Sequence, residues 1–300
     1  MTIALPVRAL LLAGALPLAA LAQDNGDRVD TTLAISRGGH VDLGNVSGEI
    51  RVSGSNRSDV KITATMDRGR FELSASPMRV ALRTRSVNNR QSSAYIEVQV
   101  PVGTRVTAST VSGLVEVRAT QAEVIAKSVS GRVDVRGARE RLDAETVSGT
   151  IDLRDVQGRM SIEGVSADID VDEAQGDITA ETVSGSIRIR RSRLTGLRAE
   201  AVSGTISYEG NLDANGSYRM NTHSGSVTMT LPASVGATLE LETFSGRINS
   251  DFPLTLQPGQ ATGRGRRMEF TLGNGGARVT AGAFSGNITI RRAGAAGDRE

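Results

Sequence analysis

The residues of this 300-residue chain that could do chemistry are few, and most of them stand in series rather than in clusters. Two histidines, His40 and His223, are present and cysteine is absent. That removes thiolate nucleophiles, disulfides and the usual His/Cys zinc sets. A Ser-His-Asp relay is conceivable around His223. That histidine, however, occupies a repeat position otherwise held by an apolar residue and expected to face inward, so a core or corner histidine is the simpler reading. The charged residues are more regular. Glu116, Asp134, Asp152 and Asp170, then Arg188, form one series, and Arg118, Arg136, Arg154, Asp172 and Arg190 follow two residues later. Lys127, Glu145, Glu163, Glu181 and Glu200 make a third.

Periodic charge of this kind can hold a repetitive polyanion, a glycan or divalent cations. The candidate ligand-binding residues are Arg118, Arg136, Arg154 and Arg190. The candidate cation-binding residues are Asp134, Asp152, Asp168, Asp170 and Asp172, with Glu173 beside the last, although calcium asks for about six oxygen ligands. The plainer alternative is that neighbouring series neutralise each other on a solvated face, where ion pairs contribute little. Carboxylates paired by repetition alone say little about glycoside cleavage. Neither Gly273-Asn274-Gly275-Gly276, which precedes no helical pattern, nor Arg264-Gly265-Arg266-Arg267, which has no aromatic neighbours, makes a phosphate or nucleic-acid site. The chain is therefore expected not to be an enzyme, and no cofactor or resident metal is expected.

What must position these series is a repeat built on Val-Ser-Gly. Its serine falls at Ser47, then at Ser112, Ser130, Ser148, Ser166, Ser184, Ser203, Ser224 and Ser245, and finally at Ser285. From Ser112 to Ser245 the steps are 18, 18, 18, 18, 19, 21 and 21 residues, and the last step is 40, room for a degenerate copy and a loop. Three and five residues after the serine come Val115 and Val117, Val133 and Val135, Ile151 and Leu153, Ile169 and Val171, Ile187 and Ile189. Before it come Val124 and Ala126, Leu142 and Ala144, Met160 and Ile162, Ile178 and Ala180, Leu197 and Ala199. Period two with β-branched residues predicts two strands per repeat, each with one buried face. Corners are expected at Ser-Gly, where glycine allows positive φ, and around Gly158, Gly176 and Gly196. The serine hydroxyl could close the first corner.

Equal residue types at equal positions over so many copies favour coils stacked in register, about 4.8 Å apart, over a meander of hairpins. The expected fold is all-β, a single-stranded parallel β-helix or β-solenoid, right-handed by the crossover rule. Its rungs take about 18–21 residues and form a rod on the order of 40 Å long. An irregular β cap is expected over residues 23–110, the solenoid over 111–292, a Pro- and Arg-containing loop within 252–276 and a frayed tail at 293–300. Aromatics at 3% and no tryptophan suit thin aliphatic layers, and the 35 basic and 33 acidic residues nearly cancel, unlike a nucleic-acid binder. Residues 1–22 read as a cleaved export signal: Arg8, an apolar run to Ala20, and Ala20-Leu21-Ala22 before a polar stretch. No other apolar run is long enough to span a bilayer, so no transmembrane segment is expected after cleavage.

The strings Thr146-Val147-Ser148-Gly149-Thr150-Ile151-Asp152-Leu153 and Thr182-Val183-Ser184-Gly185-Ser186-Ile187-Arg188-Ile189 resemble the β-strand-repeat "putative adhesin" family of unknown function. Val100-Pro101-Val102-Gly103-Thr104 before Thr110-Val111-Ser112-Gly113 is similar to that family's entry into its repeats. Gly273 to Gly276 before Phe284-Ser285-Gly286-Asn287-Ile288 resembles its closing segment. The resemblance covers roughly residues 30 to 292. It implies an exported or surface β-helical domain and supplies no catalytic residues. Ala167 in place of the corner glycine and His223 in place of valine depart from the pattern. The function expected is an adhesin-like or scaffold binding module of the cell envelope, periplasmic or extracellular, engaging an envelope glycan or a protein partner. The alternatives are a periplasmic component of envelope-stress signalling and, further off, a glycan-active β-helix enzyme.

Overall fold

The computed structural model describes residues 27–85, 92–253 and 266–294. The export signal at 1–22, Arg264 and Gly265, and the tail beyond Gly294 lie outside the described residues. Nineteen strands follow one another with no helix among the described residues. The N-terminal set is β1 (Arg28–Ala34), β2 (His40–Ser55), β3 (Asp59–Met66), β4 (Arg70–Ser76), β5 (Arg79–Arg85) and β6 (Ala94–Pro101). The repeats form β7 (Arg105–Arg118), β8 (Val124–Arg136), β9 (Arg141–Arg154), β10 (Gln157–Asp172), β11 (Gln175–Ser184), β12 (Ile187–Ser203), β13 (Ile206–Ser224) and β14 (Val227–Leu231). The chain ends with β15 (Ala237–Ser245), β16 (Ile248–Ser250), β17 (Arg266–Leu272), β18 (Ala277–Ser285) and β19 (Ile288–Arg292).

The fold is an all-β solenoid whose rungs pair in parallel with equivalent residues opposed. Ser112 faces Ser130, Ser130 faces Ser148, and Ser148 faces Ser166. The register continues through Ser184, Ser203 and Ser224. Four inward columns fill the core. Val124, Leu142, Met160 and Ile178 stack six residues before the serines, above a column of Ala126, Ala144, Ile162 and Ala180 four before. On the other side of the corner stack Val133, Ile151, Ile169 and Ile187, then Val135, Leu153, Val171 and Ile189. All of these are essentially inaccessible, as close packing of in-register aliphatic layers requires. Tyr208 and Tyr218 fill two of these inward columns in the lengthened Ser203–Ser224 step, on either side of the extra residues between Leu212 and Ser217. Their rings meet edge to face 5.7 Å apart, and their hydroxyls donate to the carbonyls of Asn211 and Leu194.

Three devices turn each rung. At the first corner the glycine after serine sits at φ +129° to +159° in Gly113, Gly131, Gly149, Gly185, Gly225 and Gly286. A Cβ on Gly149 would collide with the carbonyl oxygen of Gly131 in the rung below, so the column needs glycine for space as well as for conformation. The corner hydrogen bonds come from the threonine two before the serine, not from the serine hydroxyl as expected. Thr146 and Thr182 donate to the carbonyls of Ser148 and Ser184, and Thr222 donates to that of Gly204 in the neighbouring rung. A second corner falls seven residues after the serine, in the left-handed region at Ala119, Gly137, Asp155, Glu173 and Arg191. The next residue (Thr120, Ala138, Val156, Ala174, Ser192) is buried and closes a short third side. The third turn follows at Gly158 and Gly176, where a corner had been expected and where φ is positive; Gly196, expected at the same corner, is not among the positive-φ glycines.

Chain order and stacking order part company at both ends. The Ser285 rung pairs with Ser224 on one side and with Ser245 on the other, so β18 and β19 insert between β13/β14 and β15/β16. Among the described residues the 40-residue step holds no further rung. Part of the stretch expected to be a loop, Arg266–Leu272, is β17, which closes the end by antiparallel pairing with β15. At the other end β2 is a full rung, with Ser47 opposite Ser112, and so belongs to the solenoid and not to a cap spanning 23–110. Outside it, β5 and β6 pair in parallel with β2, and β1, β3 and β4 add antiparallel strands that cover the edge. Ten rungs thus stack in the order Ser47, 112, 130, 148, 166, 184, 203, 224, 285, 245, about 43 Å from first to last at 4.8 Å per step. Among the described residues no helix is long and apolar enough to cross a membrane.

Candidate functional site: a ridge and groove along the solenoid

The residue before each serine faces solvent, contrary to the inward position expected of it. Val46, Val111, Val129, Val147, Val165, Val183 and Val202 are each 46–51% exposed, and Phe284 and Phe244 are 50% and 49% exposed. The reason is parity: positions six, four and two before the serine point inward, so the odd position next to it must point out. His223 stands in this same outward column and is exposed. Its ring stacks on Phe284 at 4.8 Å with planes 5° apart, and Phe284 stacks on Phe244 at 4.9 Å and 3°. The result is an apolar ridge running the length of the ten rungs and ending in three stacked rings. Single exposed valines need no explanation, but a contiguous apolar strip on a soluble surface marks an interaction site.

Beside the ridge lies a groove. Its floor is the column Thr110, Ser128, Thr146, Gly164, Thr182 and Ala201, all buried except the half-buried Gly164. Its far wall is the series three before the serine: Lys127, then Glu145, Glu163, Glu181 and Glu200 in register. Two open clefts of about 520 and 510 Å³ divide it and meet at Glu163 and Gly164. Lys127 pairs with Glu145 at 2.7 Å, and Arg198 reaches Glu200 at 2.8 Å and Glu181 at 3.8 Å. Glu163 has no ion-pair partner among the described residues. Gly164 replaces threonine where Ala167 replaces the corner glycine. A Cβ on Gly164 would lie 2.6 Å from that of Ala167, so the Ala167 methyl takes the space a side chain at 164 would need and the two departures compensate each other.

The arginine and aspartate series stand on the other sheet. Arg118 and Arg136 are held by carboxylates of their own strands, Arg118 Nε donating to Glu116 at 2.7 Å and Arg136 making a two-point contact with Asp134 at 2.9 Å. Arg154 and Arg190, on either side of Asp172 in the stack, have no such partner among the described residues. Asp168 accepts from the Ser186 amide at 2.8 Å, Asp170 lies 3.5 Å from Arg188, and Asp172 and Glu173 both pair with Arg191. Each acid is engaged separately, and among the described residues no three His, Asp or Glu converge on a point that could hold a metal ion. Asp134, Asp152 and Asp170 stack on successive rungs. Burial lifts the Asp152 carboxyl above the usual carboxylate range; Arg132 opposes this, and Asp134 and Asp170 add to it. Arg132 Nε is 3.0 Å from Asp152 Oδ2 but donates to Thr150, leaving that oxygen without a hydrogen bond.

The two histidines are seven rungs, or about 34 Å, apart at that spacing. His40 contacts Thr107 Oγ1 at 2.9 Å, and burial is the main cause lowering its pKa. His40 and His223 therefore cannot share one site. The model of the Toastrack DUF4097 family matches residues 42–291, from the first rung to the last strand. The chain belongs to that family. Several solved structures resemble this Toastrack chain at low identity. A "putative adhesin" from Bacteroides fragilis shares 12% identity over 88% of this chain and 96% of its own, with a TM-score of 0.42. A "putative cell adhesion protein" from Clostridium sporogenes shares 11% over 88% and 99%, at 0.23. A "putative lipid binding protein" from Parabacteroides distasonis shares 12% over 89% and 98%, at 0.31. No curated protein matches the Toastrack chain.

Proposed function

We propose that this Toastrack chain is an exported, non-catalytic binding module of the bacterial cell envelope, adhesin-like in action, that holds an elongated partner against one face of a rigid rod. The observation that carries this reading is the half-exposed ridge of Val46 to Phe244 with a groove beside it. Identical positions repeated at rung spacing suit a long ligand better than a small substrate. The scattered histidines and the engaged acids supply no nucleophile–base pair, which supports binding over catalysis. The export signal read at residues 1–22 supports the envelope. Arg154 and Arg190, left without carboxylate partners, favour a second contact for an anionic glycan on the other sheet.

The test is binding of the full chain to a panel of envelope glycans, polyanions, peptides and lipid vesicles at low and physiological salt. Saturable binding to an elongated member is expected. Val147→Ser/Val165→Ser/Val183→Ser should remove it if the groove face binds, and Arg154→Glu/Arg190→Glu if the arginine face does. No saturable binding to any member, or breakdown of a glycan by the chain, would overturn the reading.

A further inference from the structure

We propose that the groove's occupant is a cationic amphipathic helix of a partner protein, lying along the solenoid axis over Val147–Val202 with its basic face against Glu145–Glu200. The proposal rests on the reading of the chain as a binding module and names the partner's chemistry.

Charge comes first. Four carboxylates, Glu145, Glu163, Glu181 and Glu200, stand on four successive rungs about 4.8 Å apart, close enough to repel one another. Lys127 and Arg198 are the cations that meet them, and they do so at the two ends, leaving Glu163 at the centre with none. A basic partner relieves this column; an anionic lipid or glycan adds to it. The opposite wall, Val147, Val165, Val183 and Val202, offers no hydrogen bonds and asks for apolar side chains at the same interval. The occupant must therefore carry one apolar and one basic stripe, side by side, each repeating every rung.

The repeat length selects the conformation. An α-helix advances about 5.4 Å per turn, within about 0.6 Å of the rung spacing, so residues three or four apart follow successive valines and successive glutamates. An extended strand presents side chains to one face every 6.6–6.8 Å or so and falls out of step by about 1.9 Å per rung. A helix stays in phase over about four rungs, the length of the acidic wall, and about 13 residues cover it at 1.5 Å each. The backbone of the floor is already paired rung to rung in the parallel ladders, and Thr146 and Thr182 spend their hydroxyls on the corner carbonyls. It therefore offers a strand no ladder to join.

A face-to-face pair of these chains is a poorer fit in its antiparallel form. A two-fold axis across the ridge would set the acidic wall of one copy opposite that of the other, with Glu163 facing Glu181.

The experiment measures binding of the full chain to three synthetic peptides of about 18 residues, long enough for the helix argued above. One is a Leu/Lys peptide patterned for a helix, one has Glu in place of Lys, and one has Leu and Lys alternating for a strand. The helical Leu/Lys peptide is expected to bind saturably and to gain helical circular dichroism on binding. Glu163→Lys/Glu181→Lys and, separately, Val165→Ser/Val183→Ser should each weaken it at least about tenfold, with unchanged melting because these side chains are exposed. Lys61→Gln, an exposed residue of β3 away from the groove, should leave it unchanged. Equal or tighter binding of the alternating or Glu peptide overturns the proposal, as does binding insensitive to the groove variants or no binding to a folded chain. A concentration-dependent dimer lost in Val165→Ser/Val183→Ser also overturns it, in favour of a second copy. The glycan and vesicle arms of the panel stand apart: binding there with none here removes the helix and leaves the general reading intact.

Discussion

Exchanging the pair Gly164 and Ala167 for the threonine and glycine that neighbouring rungs carry should be far less costly than either half of the exchange. Gly164→Thr alone places a Cβ 2.6 Å from the Ala167 Cβ, a backbone-anchored atom that cannot swing away. Overpacking of that kind costs about 1–3 kcal/mol. Ala167→Gly alone deletes a methyl that is 1% exposed and loosens the backbone, for roughly 1–2 kcal/mol together. Gly164→Thr/Ala167→Gly removes the clash and restores the hydroxyl-to-corner hydrogen bond seen at Thr146 and Thr182. Such a bond contributes about 0.5–1.5 kcal/mol. The double variant should fall within about 1 kcal/mol of the parent, giving a favourable coupling of about 1–5 kcal/mol. Urea unfolding of the four proteins, followed by circular dichroism, measures it. Additive losses, with the double variant as weak as the sum of the singles, would refute the idea that the two departures compensate each other.

Two further outcomes follow from the geometry. Asp152 has a raised folded pKa, so its protonated form favours the fold, and that contribution is lost as pH rises from 3.8 through the folded value. Asp152→Asn should therefore be more stable than the parent at pH near 7, the gap closing below about pH 3.8; an Asn variant less stable at neutral pH would show Arg132 outweighing burial. The inserted last rung predicts that Thr228→Cys/Thr289→Cys, directly opposed in β14 and β19, forms a disulfide on mild oxidation. Thr228→Cys/Asn249→Cys, opposed only if rungs stacked in chain order, should stay reduced; the reverse result would remove the insertion.

Much of this architecture was readable in the residues. The alternation of Val133, Val135, Ile151 and Leu153 gave the strands and their buried face, and the equality of their spacing gave in-register stacking. The glycine after each serine marked the corner. The outward ridge was equally legible in principle, since Val147 is out of phase with Leu142, Ala144 and Thr146; an apolar type outweighed its parity in the reading. The corner's hydrogen-bond donors, the threonines two before the serine, were missed in favour of the serine hydroxyl. The end topology was not legible. A copy such as Ala277–Ser285 presents the same inward residues as any other, so its sequence fits every rung and does not say which one it docks on. The groove's acidic wall was visible as a series, but its pairing with the ridge needed the bend at Ser-Gly to be placed.

The most direct test of the ridge as binding face uses the absence of cysteine. Single variants Val147→Cys, Val165→Cys and Val183→Cys, with Ile151→Cys as a buried control, would be labelled with a thiol reagent in the presence and absence of a bound partner from the panel. The structure predicts fast labelling at all three ridge positions, slow labelling at Ile151→Cys, and protection of the three together when the partner binds. Slow labelling of the ridge in the free protein, or labelling unchanged at saturation, would contradict it.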